Sequence, residues 1–282
     1  MRINPDKCVA CGNCIPICPM GAIAIDPARN RAGIDAEACV ECFQCLRGMS
    51  QEHLNPSMVR GVRRALGWLR LRFDPEPDVC PTAAFEADEL VWPRVVRRAF
   101  SDVTATHEST GIHGRGTEEV KTNDVTHRVK AGEAGFVVEF GRPSVGVYFR
   151  DIQRMTMALA AAGATFEEKN PVTQLMSVKE HGLLRPDILG EKVLSAIVEF
   201  KTPLARVDHF IDTVERVADE LPTIVALGIA AICDEEGRSP IEEVMLRRGY
   251  PVIRGKTNLG LGRVTNPGAA AAQGAAQVGV AV

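Results

Sequence analysis

Cys8-Val-Ala-Cys11-Gly-Asn-Cys14-Ile-Pro-Ile-Cys18-Pro19 decides how this chain is read. Its spacing is C-x2-C-x2-C-x3-C-P, a run of thiols gathered for an iron–sulfur cluster. A cuboidal [4Fe-4S] cluster takes four thiolates at tetrahedral corners, and two-residue spacers let one short loop wrap three of its irons. A second triplet follows, Cys39-Val-Glu-Cys42-Phe-Gln-Cys45. An undisturbed repeat would put its fourth cysteine at position 49, which is Met49; the missing thiol returns as Cys80-Pro81. The flanks agree, since Cys18-Pro19-Met-Gly-Ala22-Ile-Ala-Ile-Asp26 parallels Cys80-Pro81-Thr-Ala-Ala84-Phe-Glu-Ala-Asp88. Both read as a cysteine–proline turn, then a short helix, then a strand.

On these residues the chain resembles the two-[4Fe-4S] bacterial ferredoxin family, over roughly its first ninety residues. The resemblance implies two [4Fe-4S] clusters with exchanged ligands. Cys8, Cys11, Cys14 and Cys80 would hold one, and Cys39, Cys42, Cys45 and Cys18 the other. The departure from the family's pattern is the insertion between Cys45 and Cys80, which bears most on Cys80. Zinc also binds four cysteines, but usually as two C-x-x-C pairs rather than triplets. Disulfides would need an oxidising compartment, and Met1-Arg-Ile-Asn-Pro-Asp6 shows neither a basic n-region with an apolar h-region nor a twin arginine. Cys233 ends an apolar run, Ile224 to Ile232, and is expected to be a buried core thiol.

At 282 residues the chain has room for two domains, and 45% hydrophobic with 24% charged residues fits a soluble globular protein. A net charge of −3 gives no reason to expect a nucleic-acid partner. No apolar stretch reaches the ~18 residues of a membrane span. A cytoplasmic setting with reduced thiols is expected, and a homo-oligomer is possible.

The expected fold class is α+β. Residues 1–100 form a two-cluster ferredoxin domain with an insertion at 47–79; 101–132 are a polar, glycine-rich loop or linker; 133–255 are a duplicated βαβ domain; and 256–282 form a Gly/Ala-rich tail with too little bulky apolar side chain to fold. Ile23 to Ile34 reads as a hairpin turning at Pro27 and Asn30. Val9, Ile15, Ile17, Val40, Phe43 and Leu46 are expected to keep water off the sulfides, which helps set a potential anywhere from about −700 to +450 mV. Within the insertion, Val59, Val62, Leu66 and Leu69 recur at helical spacing with arginines mostly on the other face. The segment reads either as a basic patch for an acidic redox partner or phosphates, or as a solvated helix covering the second cluster.

In the second domain, Val137-Val-Glu-Phe140-Gly-Arg-Pro143 is echoed by Ile197-Val-Glu-Phe200-Lys-Thr-Pro203. Each copy leads into an amphipathic helix, Val147 to Gly163 and Leu204 to Leu221, then strand-like sequence at Thr165 to Glu167 and Thr223 to Cys233. Duplicated βαβ units suggest a split βαβ sandwich, a sheet with helices on one face, similar in pattern to ferredoxin-like or ACT-type modules. Ile241 to Arg248 reads as a short helix and Tyr250 to Ile253 as a last edge strand. Gly249 to Thr257 misses the phosphate-cradling loop, with five residues between its glycines, and no GxGxxG stands in a strand–turn–helix context.

The leading expectation is an electron-transfer subunit feeding a partner oxidoreductase. The rival is a reductase acting on a small molecule near the loop 107–124, with His107, His113, Arg115 and Lys121 as candidate catalytic residues. Glu139 and Glu199 could serve it as an acid–base pair, although repeated positions usually report fold. A redox- or ligand-sensing regulator ranks third, since no output domain is visible.

Overall fold

The computed structural model describes residues 1–49, 53–71, 80–107, 111 and 128–252. Its buried apolar side chains fall into two main cores, one among the cysteines and one behind the later sheet. The first is framed by short strands: β1 (Arg2–Ile3), β2 (Ile23–Asp26) and β3 (Arg31–Ile34), then helices α1 (Gln44–Arg47) and α2 (Pro56–Trp68), then β4 (Phe85–Glu86). β2 and β3 form the hairpin, with Asn30 left-handed at its turn, and β1 closes antiparallel on β4. The helices expected after the two cysteine–proline turns do not form. The Ala22 and Ala84 N–H groups donate to Cys18 Sγ (3.3 Å) and Cys80 Sγ (3.2 Å). Gly21 and Ala83 take positive φ just before them, so no carbonyl ladder can start and the chain passes straight into β2 and β4.

α2 starts where Asn55 Oδ1 accepts from the N–H groups of Ser57 (2.9 Å) and Met58 (3.3 Å), with Pro56 in the first helical position. It ends in a Schellman closure, Leu71 N–H to Leu66 O and Arg70 N–H to Gly67 O, with Arg70 left-handed where glycine is usual. Only Val59 of its apolar stripe is buried; Val62 and Leu69 are exposed. The inward positions are taken by Arg60, which donates to the carbonyls of Asp6 and Cys8, and Arg63, which donates to Ala10 O at 3.1 Å. A long guanidinium stem can lie along apolar surface while its fork satisfies carbonyls, which a hydrophobic count does not register. The helix therefore clamps the loop of the first cysteine triplet rather than covering the second cluster's loop.

The second core begins with α3 (Val95–Ser101), whose Val96 and Phe100 pack into it although they precede position 101. Then come β5 (Glu133–Phe140), β6 (Val147–Tyr148), α4 (Phe149–Ala161), β7 (Thr165–Phe166), α5 (Pro171–Gln174), β8 (Met176–Val178), β9 (Leu183–Leu184), β10 (Lys192–Val193), β11 (Ala196–Pro203), α6 (Val207–Ala218), β12 (Val225–Ala231) and α7 (Pro240–Arg247). Four strands make an antiparallel sheet in the order β12-β5-β11-β7. The strands joined through each helix are thus separated by one strand of the other unit. Alternate residues on one face, Phe136, Phe140, Val198 and Phe200, pack in a common core with Phe149, Ile152 and Met155 of α4 and Phe210 and Val214 of α6. Phe136 stacks on Phe200 across the strand pair, centroids 4.8 Å apart. The opposite face carries Val137 and Ile197, closed over by Val129.

Three further expectations change. Val147 and Tyr148 pair with Val193 and Lys192 as β6 instead of opening the helix. Tyr250 to Val252 are not a strand, and Ile253 lies outside the described residues. Cys233 is exposed, because β12 is an edge strand that ends at Ala231 and leaves the cysteine beyond it, before the Asp234 turn.

Candidate metal centre

The two triplets share one backbone path. Ala10 and Glu41, which precede the second cysteine of each, both have φ 54°; Gly12 and Phe43, which follow it, have φ 83° and 58°. Gly21 and Ala83, three residues past the separate cysteines, complete the correspondence at 62° and 50°. Left-handed turns at these points direct successive thiols toward one interior volume, and non-glycine residues accept that conformation at a cost of about 1 kcal/mol each.

Two cavities result. Cys8, Cys11, Cys14 and Cys80 line the first, among Ile3, Val9, Ala32, Ala84 and Phe85, around about 300 Å³ of atom-free space including its mouth. Cys18, Cys39, Cys42 and Cys45 line the second, among Met20, Ile23, Ile34, Val40 and Phe43, around about 380 Å³. Each cavity thus joins the three cysteines of one triplet to the separate cysteine that follows the other. Val9, Val40 and Phe43 are buried as the apolar shell requires, whereas Ile15 and Ile17 are exposed.

The donor chemistry suits a cluster. Backbone N–H groups already aim at sulfur: Ala32 at Cys8 Sγ (3.3 Å), Ala22 at Cys18 and Ala84 at Cys80. Burial pushes the thiols of Cys11, Cys39 and Cys42 up, partly offset by N–H groups of Asn13, Glu41 and Gln44. Burial first and neighbouring cysteines second push Cys14 and Cys45 to about 12. Four thiolates can share such a space only when cationic charge compensates them. Among the described residues no three His, Cys, Asp or Glu converge as around a single ion. A lone zinc would draw four sulfurs to about 2.3 Å from one point. A cube, offering one iron to each thiolate, suits thiols spaced around a cavity.

A layer of arginines fixes the loops from outside. Arg97, buried on α3, donates from Nη1 to the carbonyls of Ala36 (3.2 Å), Glu37 (2.8 Å) and Cys39 (2.7 Å), and from Nε to Glu191 (2.5 Å) beside β10. Arg94 pairs with buried Glu41 at 2.7 Å, and the Met1 amino group reaches the same carboxylate at 3.1 Å. Asp102 gathers Arg47 (2.6 Å) from α1 and Arg98 (3.1 Å) from α3. Sequence reasoning missed this layer; its trace is the cluster Arg94, Arg97 and Arg98 after Trp92-Pro93. Trp92 Nε1 donates to Asp187 at 2.6 Å, and Arg185 lies over the Trp92 ring, joining the cysteine-bearing part to the second core.

The candidate catalytic residues do not form a site among the described residues. His107 is buried with its ring edge-on to Phe100, at the rim of the second core. His113, Arg115 and Lys121 lie outside the described residues. Glu199 is buried on the sheet beside Arg128 (3.6 Å), accepting from Asn170 (3.3 Å), and Glu139 pairs with Arg142 (3.7 Å). Both carboxylates are engaged in ion pairs within the second core's sheet.

Residues 1–48 match the family model described as a 4Fe-4S dicluster domain. Two relatives from Rhodobacter capsulatus, both named Ferredoxin-1, are each 38% identical to this chain over 64 residues, covering 20% of this chain and 95% of the relative. No solved structure matches the chain. Among the described residues no helix is long and apolar enough to cross a membrane.

Proposed function

We propose that this chain, which belongs to the ferredoxin family through its N-terminal part, passes single low-potential electrons to a partner oxidoreductase by way of two [4Fe-4S] clusters. The observation that carries the reading is the sorting of eight cysteines, four and four, around two cavities. Cys8, Cys11, Cys14 and Cys80 would hold one cluster and Cys18, Cys39, Cys42 and Cys45 the other. Each cluster supplies one-electron chemistry when bound. The protein's own part is to exclude water with Val9, Val40, Ile23 and Phe85, to aim N–H groups at sulfur, and to hold the loops rigid through Arg60, Arg63, Arg94 and Arg97. N–H bonds and burial are the levers by which a protein sets such a potential. Cys14 lines the first cavity and Cys18 the second, so one short segment links the two centres, as suits a relay.

We read the second core as a duplicated, split βαβ sandwich of the ferredoxin-like or ACT-like kind, supported by its sheet order and by two helices on one face. A reducing, cytoplasmic setting follows from a function that needs eight free thiolates. The test is stopped-flow mixing of the reduced, anoxically purified protein with one-electron acceptors. Bleaching should reverse in single-electron steps without a small-molecule product. Steady turnover of a small substrate by the isolated chain would favour the reductase instead.

A further inference from the structure

We infer that the outer face of α2 is the docking surface for an acidic redox protein, which exchanges electrons with this chain through the first cavity. The inference rests on the electron-transfer reading above and adds where the partner binds and what charge it carries. From Pro56 to Leu71 the chain has four arginines and no acidic residue, although the whole chain carries −3. Arg60 and Arg63 are spent inward on the carbonyls of Cys8 and Ala10. Arg64 and Arg70 point outward, and neither makes an ion pair among the described residues. Beside them stand Met58, Val62, Leu69 and Trp68, the last 86% exposed. A core of Trp and Met flanked by arginine is the composition of an interface rather than of a merely solvated helix.

Position strengthens the case. α2 is bonded directly to the loop bearing Cys8 and Cys11, so a protein seated on it stands against the first cavity's wall. The second cavity is turned toward the second core. Its Met20 side chain meets Gly146, and its Cys39 loop is held by Arg97, which also binds Glu191. Of the two ends of the relay, the first is the one that α2 adjoins, and Arg64 and Arg70 on its rim, without an ion-pair partner among the described residues, select a negatively charged visitor.

The test uses the full chain with its clusters, reduced with dithionite and desalted, against two protein oxidants. An acidic flavodoxin takes one electron from a reduced cluster and one proton from solvent to give its neutral semiquinone; basic ferric cytochrome c takes one electron to give the ferrous haem. The flavodoxin rate should fall with added salt and drop about tenfold or more in Arg64→Glu with Arg70→Glu. A charge-matched control on the second core's surface, Lys179→Glu with Arg216→Glu, should change it by less than about twofold. Trp68→Ala should slow flavodoxin in the same direction, and cytochrome c should not be slowed by the arginine pair. Equal effects of the two charge pairs, or a flavodoxin rate untouched by the arginine pair, would overturn the docking face while leaving the relay intact. A wild-type dimer that Trp68→Glu makes monomeric in sedimentation would also overturn it, since the face would then be a self-interface. If the wild type reduces neither oxidant, the electron-transfer reading itself fails.

Discussion

At the scale of single residues, Asp102 shows how a buried charge is kept. Burial raises its carboxyl, but the N–H and hydroxyl of Thr104 and the guanidinium groups of Arg47 and Arg98 outweigh that and hold it below the usual carboxylate range. A depressed folded value contributes stability above the unfolded value of about 3.9, and that contribution fades as pH falls through the folded value. Asp102→Asn should therefore cost roughly 1.5–3 kcal/mol at pH 7, from the hydrogen bonds to charged groups it loses. The gap from wild type in urea midpoint should narrow below about pH 4. The two cysteine triplets were legible in the sequence because their spacing is a local property, whereas Cys80 could be reached only through the parallel between its flank and that of Cys18. The left-handed turns that aim them were legible at Gly12 and Gly21 but hidden at Phe43 and Ala83, where side chains that disfavour positive φ adopt it anyway.

Secondary elements were legible wherever a single period ruled them. The aliphatic stripe of α6 and the Pro240–Arg247 helix follow helical spacing, with Pro171 and Pro240 in first helical turns. α2 was legible as a helix but not in its orientation, because its inward contacts are made by arginine forks. The turns after Cys18 and Cys80 were misread as helices because a sulfur, not a carbonyl, accepts the closing N–H. Two elements can be tested by how closely they approach or what they hold. A Cβ on Gly182, at φ +65°, would lie 2.2 Å from Thr156 O of α4, whereas one on Gly190 meets nothing within 4 Å. Gly182→Ala should destabilise by about 3 kcal/mol, while Gly190→Ala stays within about 1 kcal/mol of wild type in thermal or urea unfolding. Arg97→Met removes the guanidinium Nη1 that donates to three carbonyls of the Ala36–Cys39 loop. A chelator should then strip iron from the second cavity several-fold faster, with the first unchanged, giving a biphasic loss of visible absorbance.

For the molecule as a whole, the repeat around Glu-Phe-x-x-Pro disclosed two βαβ units and pointed to a split βαβ sandwich, but not which residues pair across its strands. Strand pairing depends on contacts far apart in sequence, such as Phe136 with Phe200, and no local period encodes it. The contacts between the cysteine-bearing part and the second core, through Trp92, Arg97 and Met20, were likewise invisible. The central claim is that the two triplets exchange their fourth ligands across two cavities. It is tested most directly by iron and sulfide counts on anoxically purified chain, with spectra of the Cys80→Ala variant. The account predicts about eight irons per chain in the wild type and about four in the variant, with the surviving signal that of the Cys18, Cys39, Cys42 and Cys45 centre. About four irons in the wild type, or a variant that keeps about eight with an unchanged spectrum, would contradict it.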